Sequence, residues 1–223
     1  MKREIFITSD GSTSIHLPDW NEQYHSKHGA IQEAYHVFIK AGFEKFLENN
    51  QKEISILEIG FGTGLNAFIT FLEAVKKKVK IDYVGVEAYP VAANEIEKLN
   101  YVSELKAENN QADFDEMHTT SWDEKQAISD DFLLTKRKQF FADINDKNAF
   151  NLIYFDAFGA TNQPELWTEE IFQKMYTALK VGGVLTTYAA KGSVRRAMQT
   201  VGFTVERLAG PPGKREMLRA VKK

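Results

Sequence analysis

The sequence predicts an α/β fold in which a mainly parallel sheet is covered by helices on both faces. Three observations carry that reading. Short apolar runs rich in Ile, Val, Leu and Phe alternate with helical stretches along the chain, the pattern of successive βαβ units. The run Ile54-Ser-Ile-Leu-Glu58-Ile-Gly60-Phe-Gly62-Thr-Gly64-Leu-Asn66 passes from a strand through three alternating glycines straight into a helix. Four of the apolar runs end in an acid, at Glu58, Glu87, Asp143 and Asp156, and strand carboxyl ends are where open α/β sheets hold ligands.

In chain order, residues 3–17 read as a hairpin turning at Asp10-Gly11, a dipeptide suited to a tight turn. Residues 29–48 follow as a helix, with Ala30, Ala34, Val37, Phe38, Ala41 and Leu47 along one stripe. The first parallel strand is 54–59 and its helix 65–75; the next strand is 81–87, and 94–99 is helical. From 103 to 139 the pattern is weak and acidic. Residues 118–124 read there as loop, and Phe132-Leu-Leu-Thr before Lys136-Arg-Lys as a hairpin. Residues 140–143 are expected to end a strand, 151–156 to form another, and 165–179 to form a helix. A strand over 182–188 is entered through Gly182-Gly183, and a helix over 193–201 follows. Strands 203–208 and 216–221 close the chain, joined by Gly210-Pro-Pro-Gly213. That link is too short for a crossover helix, so the last strand must run antiparallel to its neighbour. No internal repeat, low-complexity tract or linker divides the chain.

A chain of 223 residues is one domain, or one domain with an appendage, and can bury roughly 70% of its unfolded surface. With 43% hydrophobic and 26% charged residues it has the composition of a soluble globular protein. The absence of cysteine excludes disulfides and thiolate metal sites and suits a reducing interior. Met1-Lys-Arg-Glu-Ile-Phe has no apolar signal core behind it, and no run approaches the roughly 18 apolar residues that span a bilayer. A cytoplasmic protein without membrane association is therefore expected. The net charge of −3 hides an asymmetry: ten basic residues against two acids from Lys180 onward, 18 against 29 before it. Such a basic end reads either as a face for an anionic partner or as a solvated terminus.

The chemistry of the glycine turn narrows the ligand. Glycines let backbone approach a ligand where a Cβ would collide. The spacing Gly60-x-Gly62-x-Gly64 is tighter than the dinucleotide pattern, and Glu58 beside it would repel a pyrophosphate. An acid next to such a loop suits a ligand with positive charge and hydroxyls, and S-adenosylmethionine has an ammonium, a sulfonium and a ribose. Glu87, 23 residues past Gly64 at the next strand end, can accept from both ribose hydroxyls. Asp143 is placed to accept from the adenine amino group. Four acids on one rim repel one another unless a cation or hydrogen-bond donor sits among them. His25 and His28 have no further ligands to make a metal site, so none is expected.

Several segments together resemble one family: Glu58-Ile-Gly-Phe-Gly-Thr-Gly-Leu-Asn66, Phe141-Ala-Asp-Ile-Asn145, Asp156-Ala-Phe, Pro164-Glu-Leu-Trp167, Lys191-Gly-Ser-Val-Arg-Arg196 and Gly213-Lys-Arg-Glu-Met217. It is the methyltransferase family of tRNA 5-methylaminomethyl-2-thiouridine biosynthesis, which occurs as a stand-alone enzyme and as half of a bifunctional protein. Tyr24-His25-Ser26-x-x-Gly29-Ala30, with Glu33 and His36-Val37-Phe38, resembles the stand-alone branch. The resemblance implies a class I S-adenosylmethionine-dependent methyltransferase, Rossmann-like, with a mostly parallel seven-stranded sheet and an antiparallel last strand. Residues 1–50 would be a hairpin-and-helix extension covering the cofactor, and 51–223 the methyltransferase domain. The implied acceptor is the 5-aminomethyl group of (2-thio)uridine at the tRNA wobble position, in the anticodon stem-loop. Enzymes that make that precursor would act upstream, and no obligatory protein partner is evident. With no second glycine fingerprint in the chain, no flavin is expected. The chain departs from the family at Ala160 and Gln163, where relatives carry Pro and Asn in the loop after Asp156.

Within that reading Tyr24, Glu58, Gly60, Gly62, Gly64, Asn66, Glu87, Asp143 and Asp156 would bind the cofactor. Asp156 is also the candidate catalytic residue, orienting the amine or taking its proton. Lys191, Arg195, Arg196, Lys214 and Arg215 would meet tRNA phosphates. Phe158 and Trp167 could stack on a splayed base, although Trp167 reads equally well as core. Two other functions fit the residues: methyl or aminopropyl transfer to a small-molecule amine, and a non-catalytic cofactor- or RNA-binding module.

Overall fold

The structure, a computed structural model, describes residues 2–48 and 51–223, so the expected boundary at residue 50 touches the undescribed residues. An eight-stranded sheet forms the centre. Its strands are β4 (Glu53–Ile59), β5 (Lys80–Val86), β6 (Lys125–Ser129), β7 (Phe132–Arg137), β8 (Phe150–Phe155), β9 (Leu179–Thr187), β10 (Thr204–Ala209) and β11 (Glu216–Val221). Their spatial order is β10-β11-β9-β8-β4-β5-β7-β6. The five inner strands β9, β8, β4, β5 and β7 pair parallel, whereas β11 inserts antiparallel between β10 and β9. The expectation of an antiparallel last strand holds. The sheet has one strand more than seven because β6 folds back on β7 and closes the far edge.

Side-chain alternation divides the core between the two faces of the sheet. Ile54 and Ile56 of β4, Ile81 and Tyr83 of β5, and Leu152 and Tyr154 of β8 belong to one cluster. Leu57 and Ile59, Val84 and Val86, and Ile153 and Phe155 belong to the other. That period of two on strands buried from both sides is what a covered parallel sheet requires. On the first face lie α3 (Leu65–Lys77) and a continuous helix made of α1 (Ala30–Ala34), a π-wound stretch Tyr35–Glu44 and α2 (Lys45–Leu47). The second face is covered by α7 (Glu169–Ala178) and α8 (Gly192–Thr200), with Phe172, Met175, Val194 and Met198 buried. Each such large side chain contributes about 1.5–3 kcal/mol of burial.

Ahead of the helix, β1 (Glu4–Ile7), β2 (Thr13–Leu17) and β3 (Glu22–Gln23) make a small antiparallel sheet, with β1 and β2 forming the hairpin read from Asp10-Gly11. Two short helices also appear between β5 and β6, α4 (Ala93–Ile96) and α5 (Tyr101–Glu104), followed by α6 (Gln111–Thr119). The acidic stretch from 103 onward therefore contains helix that its pattern hid, because α6 buries only Phe114 and Met117. His118 and Thr119 end α6 rather than belonging to a loop. The hairpin at Phe132 is present, yet β7 also pairs parallel with β5 and so lies within the main sheet.

Residues 140–143 do not end a strand. Phe141–Asp143 is one 3-10 turn between β7 and β8. A strand there would need a partner, and β8 already has β4 on one side and β9 on the other. The helix expected over 165–179 divides into a 3-10 turn, Pro164–Trp167, and α7. Thr168 makes the division, because its side chain accepts from the Ile171 amide at 3.4 Å as an N-cap.

Candidate active site

At the carboxyl end of β4 the chain turns sharply into α3. Gly60, Gly62 and Gly64 have φ of 91°, 52° and 72°, a region that L side chains rarely enter. Space is limiting as well as dihedral angle: a Cβ on Gly60 would stand 2.6 Å from the Asp156 carbonyl oxygen. The turn therefore brings β4 and β8 together at their ends. Its exposed side forms one wall of a cavity of about 390 Å³ that also meets Asn66, Glu87, Asp156 and Phe158.

Glu87 follows β5 directly and is held in place by backbone. The Gly62 amide donates to its Oε2 at 3.1 Å and the Tyr89 amide to its Oε1 at 2.9 Å. Each oxygen accepts one backbone bond and keeps a further lone pair, and Glu87 lines the cavity. Asn66, in the first turn of α3, donates through Nδ2 to Glu58 Oε1 and to Asp156 Oδ2, each at 2.9 Å. Two carboxyl groups thus share one amide. Asp156 lies on the cavity floor with its carboxyl pushed up to about 7, chiefly by burial and then by the charge of Glu33; the Asn66 hydrogen bond and Lys214 oppose that rise. A carboxyl poised there changes charge across the neutral range.

Glu58 does not line the cavity. Its side chain follows the alternation of β4 onto the face packed by α3 and is fully buried, near the Tyr83 hydroxyl and bonded by Asn66. Burial pushes its carboxyl well up, and Glu58 stands behind Asn66, not on the cavity wall. Gly64 also lies off the cavity wall, where its turn packs on the His118 ring. Asp143 is exposed on its 3-10 turn and outside the lining, whereas its neighbours Phe141 and Ala142 are part of it.

The N-terminal segment supplies Arg3, Trp20, Tyr24 and His25 to the cavity wall. Tyr24 packs against Gly62 and lies edge-on to Phe158 at 5.1 Å between ring centres, while Trp20 meets the same Phe158 at 6.4 Å. Arg3 fastens this segment to the loop after β5, donating to the Pro90 carbonyl at 3.2 Å and to Glu95 at 3.0 Å. Sequence reasoning gave Trp20 no role; only its place after β2 brings it to the cavity. Trp167, by contrast, is core. It is buried against Phe155 and Phe172, and its indole N–H donates to the Phe158 carbonyl at 2.8 Å.

The expected phosphate-binding residues fall into two groups. Lys191, Lys214 and Arg215 join Arg207 around a second cavity of about 540 Å³, against the Gly159-Ala160-Thr161 loop that follows Phe158. Arg195 and Arg196 sit on α8, outside that lining. Lys214 already pairs with Glu33 at 2.6 Å, and Lys191 donates to Thr161 Oγ1 at 2.8 Å. Of the two family departures, Gln163 lines the first cavity and Ala160 the second. Among the described residues there is no group of three or more His, Cys, Asp or Glu placed to hold a metal, and no helix long and apolar enough to cross a membrane.

A glycine turn that leads from a central parallel strand into a helix, with a fixed carboxylate at the next strand end, defines a nucleoside-binding α/β enzyme fold. The model of a family described as S-adenosyl-L-methionine-dependent methyltransferase matches residues 98–223, and the chain belongs to that family. It is 28% identical over 214 residues to the tRNA 5-methylaminomethyl-2-thiouridine biosynthesis bifunctional protein MnmC of Leptospira borgpetersenii, and 26% over 220 residues to that of Actinobacillus pleuropneumoniae. Each alignment takes in 89% of this chain and 32% of the relative, so the chain spans about a third of the length of these proteins. Among solved structures, MnmC2 from Aquifex aeolicus superposes with a TM-score of 0.77 at 24% identity, over 100% of this chain and 70% of that one. Spermidine synthase from Thermotoga maritima gives 0.58 at 19%, over 98% and 68%. At those identities both matches speak for the fold alone.

Proposed function

We propose that this protein transfers a methyl group from S-adenosylmethionine to the 5-aminomethyl group of (2-thio)uridine at the tRNA wobble position, giving 5-methylaminomethyl-(2-thio)uridine. The observation that carries the reading is Asp156. It is a recessed carboxyl on the floor of the first cavity, beside a second cavity bordered by four cations. The names of the bifunctional relatives point to the same tRNA modification.

The first cavity fits the cofactor. The positive-φ cradle at Gly60 and Gly62 gives room that a Cβ would fill, Glu87 offers two oxygens to ribose hydroxyls, and Asn66 and Asp156 suit an ammonium group. The bound cofactor supplies an electrophilic methyl on a sulfonium. The chain's own task is to present a neutral amine to it. An amine with a pKa near 10.4 is neutral in about one molecule in 2,500 at pH 7, a deficit of roughly 4.6 kcal/mol. Asp156 as carboxylate takes the proton that the nitrogen must shed, and the apolar walls around it favour the uncharged amine. Arg3, Trp20, Tyr24 and His25 act as a cover that excludes water, which is the role we give residues 1–50 beside the methyltransferase domain of 51–223. Phe158, with Trp20 and Tyr24 edge-on to it, offers aromatic surface to an unstacked base. Lys191 and Arg215, with Arg207, face the second cavity, where phosphates would position the substrate without reading its sequence.

The cations of the second cavity outnumber its one acid, Glu216, even though Arg207 pairs with Glu216 and Lys214 with Glu33, which favours an anionic substrate over a polyamine there. A soluble tRNA-modifying enzyme of the cytoplasm, with the precursor made by other enzymes, is the setting this reading implies. The test is labelled S-adenosylmethionine with tRNA carrying 5-aminomethyluridine, and with spermidine and putrescine, followed by nucleoside mass analysis. Label in wobble 5-methylaminomethyluridine alone is expected; label in polyamine, or in neither, overturns the reading.

A further inference from the structure

Asp156 has two charged neighbours from distant parts of the chain. Lys214, in the link between β10 and β11, places Nζ 2.6 Å from Glu33 Oε1 of α1 and 3.7 Å from the centre of the Tyr188 ring. Glu33 is buried, and its Oε2 accepts from the Ser26 amide at 2.9 Å. Tyr188, just after β9, donates through its hydroxyl to the carbonyl of Ala157 at 2.7 Å, one residue past Asp156. An ion pair that is partly removed from water is a weak source of stability but a firm constraint, because losing Lys214 strands the charge of buried Glu33. Here it ties the N-terminal helix, the last hairpin and the end of β8 together at one point. Lys214 also lines the second cavity, while Asp156 lines the first.

We propose that Glu33 and Lys214 form a positioning unit for Asp156: they fix the loop after it through Tyr188 and balance the charge around it when the acceptor amine arrives. The inference rests on the role given to Asp156 above. The groups that face Asp156 are Glu58 of β4 and Asn66 of α3, Tyr83 of β5, Glu33 of α1, Tyr188 after β9, and Lys214. Burial raises Tyr83 and Tyr188, which keeps both uncharged near neutrality, and it also pushes the Glu58 carboxyl up. Glu33 and Lys214 therefore oppose each other at Asp156, the one raising its carboxyl and the other lowering it.

Opposed charges give a test that a scaffold role would not pass. In the full chain without acceptor, carboxyl carbon NMR follows the Asp156 titration, assigned by its loss in Asp156→Asn. Lys214→Met is expected to move the midpoint up by about one pH unit or more, Glu33→Gln to move it down by a similar amount, and Lys214→Arg to leave it in place. The pH dependence of kcat with tRNA should move with the same signs. Shifts of one common sign, or none, in variants that still bind S-adenosylhomocysteine overturn the proposal. So does an activity profile that ignores the NMR midpoints. If Lys214→Met does not fold, Lys214→Gln takes its place as the variant expected to move the midpoint up, against the downward shift of Glu33→Gln. The titration needs no tRNA, so opposite shifts in a protein that fails to methylate tRNA would count against the acceptor, and not against the charge balance.

Discussion

Replacing Asp156 with Asn keeps the shape of the side chain and an oxygen for the Asn66 amide, now 2.9 Å away, but removes the titration. Two consequences can be measured. The first is catalytic: a positioned base contributes about 10²–10⁴ in rate, or roughly 2.7–5.4 kcal/mol at 1.36 kcal/mol per decade. In the wild type kcat/KM for tRNA should climb tenfold per pH unit below a limb near 7, the value to which the Asp156 carboxyl is raised. The variant should be slower by that factor at pH 8 and should lack the limb. The second consequence is stability. The folded value lies above the ordinary 3.8, so the folded state holds its proton more tightly. Asp156 contributes stability that is complete below about pH 4 and is lost as pH rises through about 7. Three units correspond to about 4 kcal/mol, an upper bound because the cavity admits water. Urea unfolding at pH 5 and pH 8 should therefore show the variant gaining on the wild type at the higher pH. Equal pH dependence of stability in the two proteins, or a surviving activity limb in the variant, would refute the assignment.

Further outcomes separate the roles of other residues. Glu87→Ala should weaken S-adenosylmethionine binding by about 1–3 kcal/mol in calorimetry, the cost of leaving the ribose hydroxyls and two amides without their acceptor, whereas exposed Asp143→Ala should change it far less. Trp167→Ala should lower stability by about 3–5 kcal/mol through the cavity it leaves, measured by denaturant midpoint; Trp20→Ala should leave the midpoint nearly fixed and raise the KM for tRNA. Lys191→Ala with Arg215→Ala should flatten the log–log salt dependence of tRNA binding by roughly 0.7–0.9 per contact. Arg195→Ala with Arg196→Ala, outside the second cavity, should flatten it less, and the reverse order would move the phosphate path onto α8.

Period-two apolar runs on β4, β5 and β8, the alternating glycines, and the acids at residues 58, 87 and 156 were legible because each is local: strand alternation, positive φ and chain direction depend on near neighbours. The same locality explains the errors. Glu58 reads as a rim acid, yet in a strand covered on both faces the pleat sends it under α3. Residues 140–143 have the residues of a strand, but β8, the next strand in the chain, already pairs on both sides. Trp167 proves to be core, one of the two readings left open for it, and Trp20, which had no assigned role, lines the cavity, because burial depends on which elements pack around a ring. Lys214 reads as one of five surface cations, and only the approach of α1 to the last hairpin, 181 residues apart in sequence, turns it into Glu33's partner. The sequence by itself determined the βαβ order, the glycine turn and the identity of the strand-end acids, since these follow from backbone geometry within a few residues. Only the tertiary structure decided which carboxyl faces the cavity, which aromatic ring lines it and which lysine is already paired, since burial and charge pairing arise between segments that meet only when the sheet closes.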